Sequence, residues 1–600
     1  MKTLDKLRRL RMGRAASLVW KSSRGLTITS AVLTIIQGLL PLLPLYLMKL
    51  LIDRLEEAVN TGDSSAFGYL ALLVAAMGGV MLVSAAVKAV AGVVETAQSR
   101  VVTDYMQDKL HKKSISVDLA YYEDSRYYDS LHRAQREAPF RPTSIVKGLI
   151  DTAQNAVSLL AMTGLLISFH WLVAVILVVA SIPGLLVKLK FSRISWKWQR
   201  RRTETERRAW YKHWLLTSAG HAKELRLFGL GEHFRNMYRK LRKTLREEML
   251  NIARRRALAD LGTQVMATVL VYGSLAFIVH RTLAGAVTIG GMVMYFRAFQ
   301  KGLGYLKGLL GSIAGLYEGN LFLSNLFEFL DLEPAITSPD KPRKFPDEIE
   351  EGIRFHNVSF SYPSGRGNVL KGVSLNIGKG ETLALVGENG CGKTTLVKLL
   401  CRLYDPDEGT VSVDGIPLTD FDLRELRANV SVIFQDYARY HLTAMENIAM
   451  GDINRKCSEE DVQTAAEVAG VHDLISSLPE GYRSVLGKWF QEGSELSIGE
   501  WQKIALARAF FRDAGIVILD EPTSALDARA ERELFRRFQE LSRGRTSIVI
   551  SHRFSTVRTA DRIAVMKEGR IMEVGSHQEL MTRRGIYSDM YSLQACAFKD

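Results

Sequence analysis

Six stretches in the first 310 residues are apolar for about 20 residues or more, the length a helix needs to cross a bilayer. They fall near 26–48, 68–94, 149–169, 171–190, 257–280 and 288–310. This pattern predicts an all-α transmembrane domain of six helices. The rest of the 600-residue chain reads as a water-soluble α/β domain. Pro41 and Pro44 fall in the first stretch, where neighbouring helices can satisfy the carbonyls that proline frees. The third and fourth stretches meet with almost no connection, so His170-Trp171 is expected at a membrane surface. The sixth carries Arg297, Gln300, Lys301 and Lys307. Charges at bilayer depth are costly and face a cavity or a partner. Arg297 and Lys301 are four residues apart and share one helix face, with Gln300 beside them. Two readings stand. The stripe lines a cationic path for substrates bearing carboxylates or phosphates, or the span is shifted and these side chains snorkel to an interface.

The loops give an orientation. Residues 1–25 hold Lys2, Lys6, Arg8, Arg9, Arg11, Arg14, Lys21 and Arg24, and residues 191–256 carry nineteen Lys/Arg against six Asp/Glu. The loop after the first stretch is acidic, with Asp53, Glu56, Glu57 and Asp63. Positive-inside logic then places both termini and the soluble half in the cytoplasm of a multi-pass protein of the cell membrane. The first stretch is long and lacks a small-residue cleavage site, so it reads as a retained span rather than a signal peptide. Much of the net charge of +15 lies in these cytoplasmic segments, so topology accounts for it and nucleic acid is not expected as a partner. Two polar excursions, about 95–148 and 191–256, read as extensions of the membrane helices. The first is broken by Tyr121–Tyr128 and the second by Glu224–Gly231.

In the soluble half, Leu383–Val386 is an apolar strand-like run, Gly387-Glu388-Asn389-Gly390-Cys391-Gly392-Lys393-Thr394 follows it, and the helical pattern Thr395–Leu400 comes next. That is the strand–loop–helix context of a phosphate-binding loop. Its glycines let backbone amides wrap the phosphates, and the helix N-terminus favours their charge. Lys393 is placed to reach the β/γ-phosphates and Thr394 to ligate Mg²⁺. Further on, Ile516–Leu519 suits a buried parallel strand and ends in Asp520-Glu521. Asp520 is expected to hold Mg²⁺ and Glu521 to polarise the attacking water. A second such strand, Ser547–Ile550, runs into Ser551-His552.

These motifs, with Leu496-Ser-Ile-Gly-Glu500 and Trp501-Gln-Lys-Ile-Ala-Leu-Ala-Arg508 between them, resemble the nucleotide-binding domain of ABC transporters over about residues 350–590. The resemblance implies that ATP lies on Gly387–Thr395, Thr395 included, with Tyr362 stacked on adenine. It makes Gln435 the loop glutamine that senses Mg²⁺, Glu521 the catalytic base, Asp527 part of the loop crossing a dimer, and His552 the switch at the γ-phosphate. Ser497 and Gly499 of the signature would complete the opposite subunit's site. The usual signature is Leu-Ser-Gly-Gly-Gln, so Ile498 and Glu500 depart from it. A β-branched residue resists positive φ, so Ile498 fits only a helical or extended position. The departures are harmless variation, or they mark an impaired signature lent to a heterodimer.

The expected layout is a cytoplasmic segment (1–25), a six-helix transmembrane domain with two coupling excursions (26–330), a linker rich in Pro334, Pro339, Pro342 and Pro346 (331–350), and the ABC nucleotide-binding domain (351–600). One membrane block and one ATPase make a half-transporter, so a second copy is expected as partner, with a heterodimer as the alternative. Spans fused ahead of the ATPase are the exporter pattern. The stretch Trp489–Gly493 with the signature resembles lantibiotic (nisin-type) and related peptide exporters, which implies a peptide substrate. Lipid or multidrug extrusion is the alternative, and a nucleotide-gated regulator or an importer stand further off. The first span begins too early for the N-terminal peptidase domain of some peptide exporters, so any leader is expected to be removed elsewhere. Cys391, Cys401, Cys457 and Cys596 lack metal-ligand spacing and read as free thiols.

Overall fold

The computed structural model describes residues 13–596 apart from 15, 63, 124–140, 364, 366, 521–527 and 552–556. The chain divides into two units, Met1–Ile115 with Asp129–Leu332, and Ser116–Tyr128 with Glu333–Asp600.

The first unit is helical. The leading apolar stretch forms two helices, α1 (Arg24–Leu39) and α2 (Leu42–Thr61), broken at Pro41, which has no backbone N–H to continue the ladder although Leu40 before it is still helical. Then follow α3 (Phe67–Ser116), the short α4 (Leu119–Glu123), α5 (Arg141–Phe169) and α6 (Trp171–Thr217). The short α7 (Ala222–Leu227), α8 (Gly231–Leu283) and α9 (Ile289–Leu330) complete the helical series. At 50, 47 and 53 residues, α3, α6 and α8 run about 70–80 Å, more than twice the hydrocarbon thickness. They therefore carry residues 95–116, 191–217 and 231–256 of the polar excursions as continuous helix, the first excursion breaking already after Ser116, ahead of Tyr121. The turn between α5 and α6 is made by His170, whose ring nitrogen accepts the Leu172 amide at 3.2 Å.

Among the described residues five helical segments are long and apolar enough to cross a membrane: Arg24–Thr61, Phe67–Ser116, Thr143–Phe169, Trp171–Gln199 and Gly231–Leu283. The sixth expected span, in α9, is helical but falls outside that set; Arg297, Lys301 and Lys307 sit in its first half. Its other face is well packed. Met294, Ala298, Phe299 and Leu303 join Met162 and Leu166 of α5, Val173 and Leu177 of α6 and Leu45 of α2 in one buried cluster. Away from that cluster, α6 and α8 are tied by Glu248, which accepts from Trp198 Nε1 at 2.8 Å and from the Arg202 guanidinium.

In the second unit, β1 (Gly352–Phe360), β2 (Leu370–Gly378), β4 (Glu408–Val413) and β5 (Ile416–Pro417) make an antiparallel sheet in the order β2-β1-β4-β5. The larger sheet has the order β10-β9-β3-β8-β7-β6 and is parallel except for β10. Its members are β3 (Thr382–Gly387), β6 (Val430–Ile433), β7 (Ile516–Asp520), β8 (Thr546–Ile550), β9 (Arg562–Lys567) and β10 (Arg570–Gly575). Successive residues of β7 feed opposite faces, Ile516 and Ile518 one core, Val517 and Leu519 the other. This is why Ile516–Leu519 is apolar at every position rather than alternating. The first core also takes in the small sheet and α10 (Lys393–Leu400); the second takes in α11 (Ile498–Phe511). The proline-rich stretch before β1 is anchored on this unit, with Phe345 and Ile349 in its core and the Arg343 amide bonded to the Asp420 carbonyl at 2.8 Å.

Candidate functional site

Three neighbouring parallel strands, β3, β8 and β7, end at the same edge of the large sheet. The carboxyl ends of such strands are where open α/β sheets bind ligands. β3 runs into the phosphate-loop sequence, and its last residue shows why glycine is needed. At Gly387 φ is +154°, and a Cβ there would lie 2.2 Å from the Met566 carbonyl oxygen of β9. Gly390 and Gly392 also take positive φ, +80° and +112°, which turns the loop back into α10. The N-cap of α10 is Gly392, so no side chain covers the helix's first amides. Lys393 is 5% exposed, and its Nζ donates to the carbonyls of Gly387 at 3.0 Å and Glu388 at 3.1 Å. The loop thus presents amides and an ammonium together, a setting suited to polyphosphate. Glu388 and Asn389 lie exposed at its tip, and Cys391 is buried beneath it, its thiol pushed above the usual value chiefly by burial.

Thr394 donates its hydroxyl to Asp520 Oδ1 at 3.3 Å, and Asp520, at the end of β7, is 1% exposed. An alcohol oxygen and a buried carboxylate beside a phosphate loop are the hard oxygen donors that Mg²⁺ prefers. Tyr362 lies next to the loop, its hydroxyl 3.0 Å from Thr395 Oγ1. Its ring meets Phe360 and Tyr404 edge-on, with centroids 5.0 and 5.4 Å away. Gln435 is exposed just beyond β6. Glu521, Asp527 and His552 lie outside the described residues, although the strands leading to Glu521 and His552 end as expected.

The signature segment opens α11. Ser497 is its N-cap, Ile498 its first and Gly499 its second residue. Ile498 is therefore helical, the condition under which a β-branched side chain fits, and it is 51% exposed. Tyr437, two residues after Gln435, donates to the Ile498 carbonyl at 2.9 Å. In the other unit, Arg297, Gln300, Lys301 and Lys307 all lie exposed on α9, and Lys307 donates to Gln264 of α8 at 2.8 Å.

Two clusters went unread in the sequence. Arg508, at the end of the Trp501–Arg508 motif, donates to the Asn447 carbonyl and side chain and to the Ala438 carbonyl, and lies 4.7 Å from the Tyr440 ring. Glu123, Lys398 and Tyr404 form the other. Lys398 sits one turn past Thr394, a spacing that could have drawn notice. Nothing in the sequence links either residue to Glu123.

Comparison with known proteins agrees with both halves. The ABC transporter transmembrane region matches residues 27–302, and the ABC transporter domain matches residues 370–524. The subtilin transport ATP-binding protein SpaT of Bacillus subtilis is 32% identical over 584 residues, 96% of this chain and 93% of that protein. The nisin transport ATP-binding protein NisT of Lactococcus lactis subsp. lactis is 32% identical over 483 residues, 80% of each. A bacterial Atm1-family ABC exporter solved with ATP bound has the same fold, with a TM-score of 0.83 at 23% identity over 96% of this chain and 98% of that one. The chain is a membrane protein of the ABC transporter family, a fused half-transporter of exporter type in which one transmembrane domain and one nucleotide-binding ATPase domain share a polypeptide.

Proposed function

We propose that two copies of this chain form an exporter of a peptide natural product of the lantibiotic kind, with the nucleotide-binding domain and both termini in the cytoplasm. The observation that carries the substrate reading is the extent of the match to SpaT. It runs over 96% of the chain, membrane half included, and substrates are chosen there rather than in the ATPase. The exposed cationic stripe on α9 supports a path for a substrate bearing carboxylates or phosphates.

Each phosphate loop receives ATP, and Lys393 exchanges its loop carbonyls for β/γ-phosphate oxygens. Mg²⁺ held by Thr394 and Asp520 supplies charge neutralisation at those phosphates when bound. Tyr362 stacks on the adenine. Glu521 orients the attacking water, Gln435 senses Mg²⁺ and the transmembrane domain, and His552 is the switch at the γ-phosphate. Ser497 and Gly499 of one copy close the site of the other, and Asp527 lies on the loop between copies. Closure of the two nucleotide domains is passed through the segments around Leu119–Glu123 and Ala222–Leu227, whose placement between long helices suits coupling.

The test is ATPase activity of the protein reconstituted alone into lipid, across a panel of peptides, lipids and drugs. Turnover stimulated by a modified peptide and lost in Glu521→Gln is expected. Stimulation by lipids alone would redirect the substrate reading. A well-folded protein that stays monomeric and hydrolyses nothing would overturn the homodimer.

A further inference from the structure

The segment Ser116–Tyr128 lies in sequence between two membrane-domain helices, yet it belongs to the nucleotide-binding unit. Within it α4 is fixed at both ends. Ahead of the helix, Asp118 accepts the amides of Ala335 at 2.7 Å and Ile336 at 3.2 Å. Leu119 and Ala120 pack on the core that contains α10. At the far end, Glu123 accepts from Lys398 Nζ at 2.7 Å and from the Tyr404 hydroxyl at 2.5 Å.

Lys398 connects this carboxylate to the nucleotide site. It lies on α10, and its Nζ is 5.2 Å from the centroid of Tyr362 and 5.9 Å from that of Tyr404. Its side chain is 20% exposed, and Glu123 is the only carboxylate that forms an ion pair with it among the described residues. Burial works against the charge of Lys398, but Glu123 and the Tyr362 side chain, through hydrogen bonding and charge, hold its pKa above the usual lysine value. The Tyr404 hydroxyl is likewise kept protonated, by burial first and then by the Glu123 carboxylate beside it. An ammonium over an aromatic face is attracted to its quadrupole, and the edge-on contact of Tyr362 with Tyr404 fixes the ring further.

We propose that Glu123 is a positioning residue for the adenine platform: by holding Lys398 and Tyr404 it sets the orientation in which Tyr362 stacks on the base. The segment between α3 and α5 then contributes to nucleotide affinity without touching nucleotide. By linkage, base binding strengthens the hold of Lys398 and Tyr404 on Glu123. This deepens the proposed function and rests on the reading of Tyr362 as the adenine partner.

The test uses the full-length protein in lipid nanodiscs, with calorimetric titration of MgADP, which is not hydrolysed. Wild type, Glu123→Gln, Tyr362→Ala and the double variant form a cycle, with displacement by magnesium pyrophosphate reporting the phosphate site alone. Glu123→Gln should weaken MgADP about three- to tenfold, leave pyrophosphate unchanged, and add nothing in the Tyr362→Ala background, because coupled residues are not additive. Lys398→Met, which keeps the stem and removes the charge, should repeat the pattern and guards against a misfolded first variant. Unchanged MgADP affinity in Glu123→Gln, an equal loss for pyrophosphate, or a full further loss on top of Tyr362→Ala would each overturn the positioning role. Should Tyr362→Ala itself leave MgADP binding intact, the platform reading falls instead.

Discussion

Ser497 and Glu500 cap one another at the start of the signature helix. The Ser497 hydroxyl accepts the Glu500 amide at 3.3 Å, and the Glu500 carboxylate accepts the Ser497 amide at 2.7 Å. This reciprocal pair satisfies two helix-end donors and places a negative charge at the positive end of the helix. The acidic residue at a position where the family usually has glutamine therefore has a local structural role. Glutamine can make the same box and alanine cannot. Glu500→Ala should destabilise the nucleotide-binding domain by about 1 kcal/mol, while Glu500→Gln stays within a few tenths. Thermal unfolding of the two purified variants checks this, and equal stability of all three proteins would remove the box as the reason for Glu500.

Thr394 and Asp520 meet across the loop at 3.3 Å with Asp520 almost wholly buried. Asp520→Asn keeps the size and a hydrogen-bonding oxygen but removes the charge that a divalent cation needs. The Mg²⁺ concentration for half-maximal ATPase should rise roughly tenfold or more, the range seen when groups supporting a metal are altered. Chelation of Mg²⁺ should abolish turnover in both proteins. An unchanged Mg²⁺ profile in the variant would leave Asp520 as a structural partner of Thr394 only.

The parts of the site that were legible in the sequence are those built from consecutive residues. The phosphate loop needs its glycines at fixed offsets between a strand and a helix, and Gly387 and Gly392 occupy conformations that other residues rarely adopt. The fully apolar run of β7 announced a strand covered on both faces. Illegible parts depend on distant chain segments or on backbone irregularity. Glu123 and Lys398 are 275 residues apart, and only the folded unit brings them together. Ile353-Arg354-Phe355 alternates as a strand does, but the register of β1 shifts between Phe355 and Val358, where Asn357 takes a φ of +48°. The charges in the sixth apolar stretch were legible as residues, while the side of α9 they occupy required the packing of Phe299 and Leu303 to define it.

Cys401 is buried in the nucleotide-binding core, and burial pushes its thiol from 9.0 to about 12. The protonated form is thus favoured in the folded state. Stability from this group is fully present below pH 9 and is lost as pH rises from there toward 12. The thiolate is the reactive species, so Cys401 should resist maleimide at pH 8 until the domain unfolds. Cys457 is exposed, and its thiol is also raised, mainly by partial burial and then by Asp461. A variant retaining only Cys457 should label in the native state, and one retaining only Cys401 should label upon denaturation. Equal native labelling rates would show that the core around Cys401 opens.

Arg297 and Lys301 occupy the exposed side of a helix whose opposite side is closed. Ala298 and Phe299 are fully buried and Leu303 nearly so, whereas Arg297, Gln300, Lys301, Gly304 and Lys307 all face outward from the unit. Arg297 lies more than two turns from the start of α9 at Ile289, so it is not a helix-end charge. A charge held in hydrocarbon is expensive unless water or a counter-charge reaches it. On the proposed reading, a shared aqueous path would account for several cations on one stripe, and an anionic substrate would gain from them. Replacing Arg297 and Lys301 together by glutamine keeps polarity and removes two charges. Transport of an acidic peptide into inside-out vesicles should fall about tenfold, the equivalent of about 1.4 kcal/mol. A neutral analogue should lose much less, and added salt should narrow the difference. If the stripe instead snorkels to lipid headgroups, both peptides will move at wild-type rates, and the path must be sought on other helices.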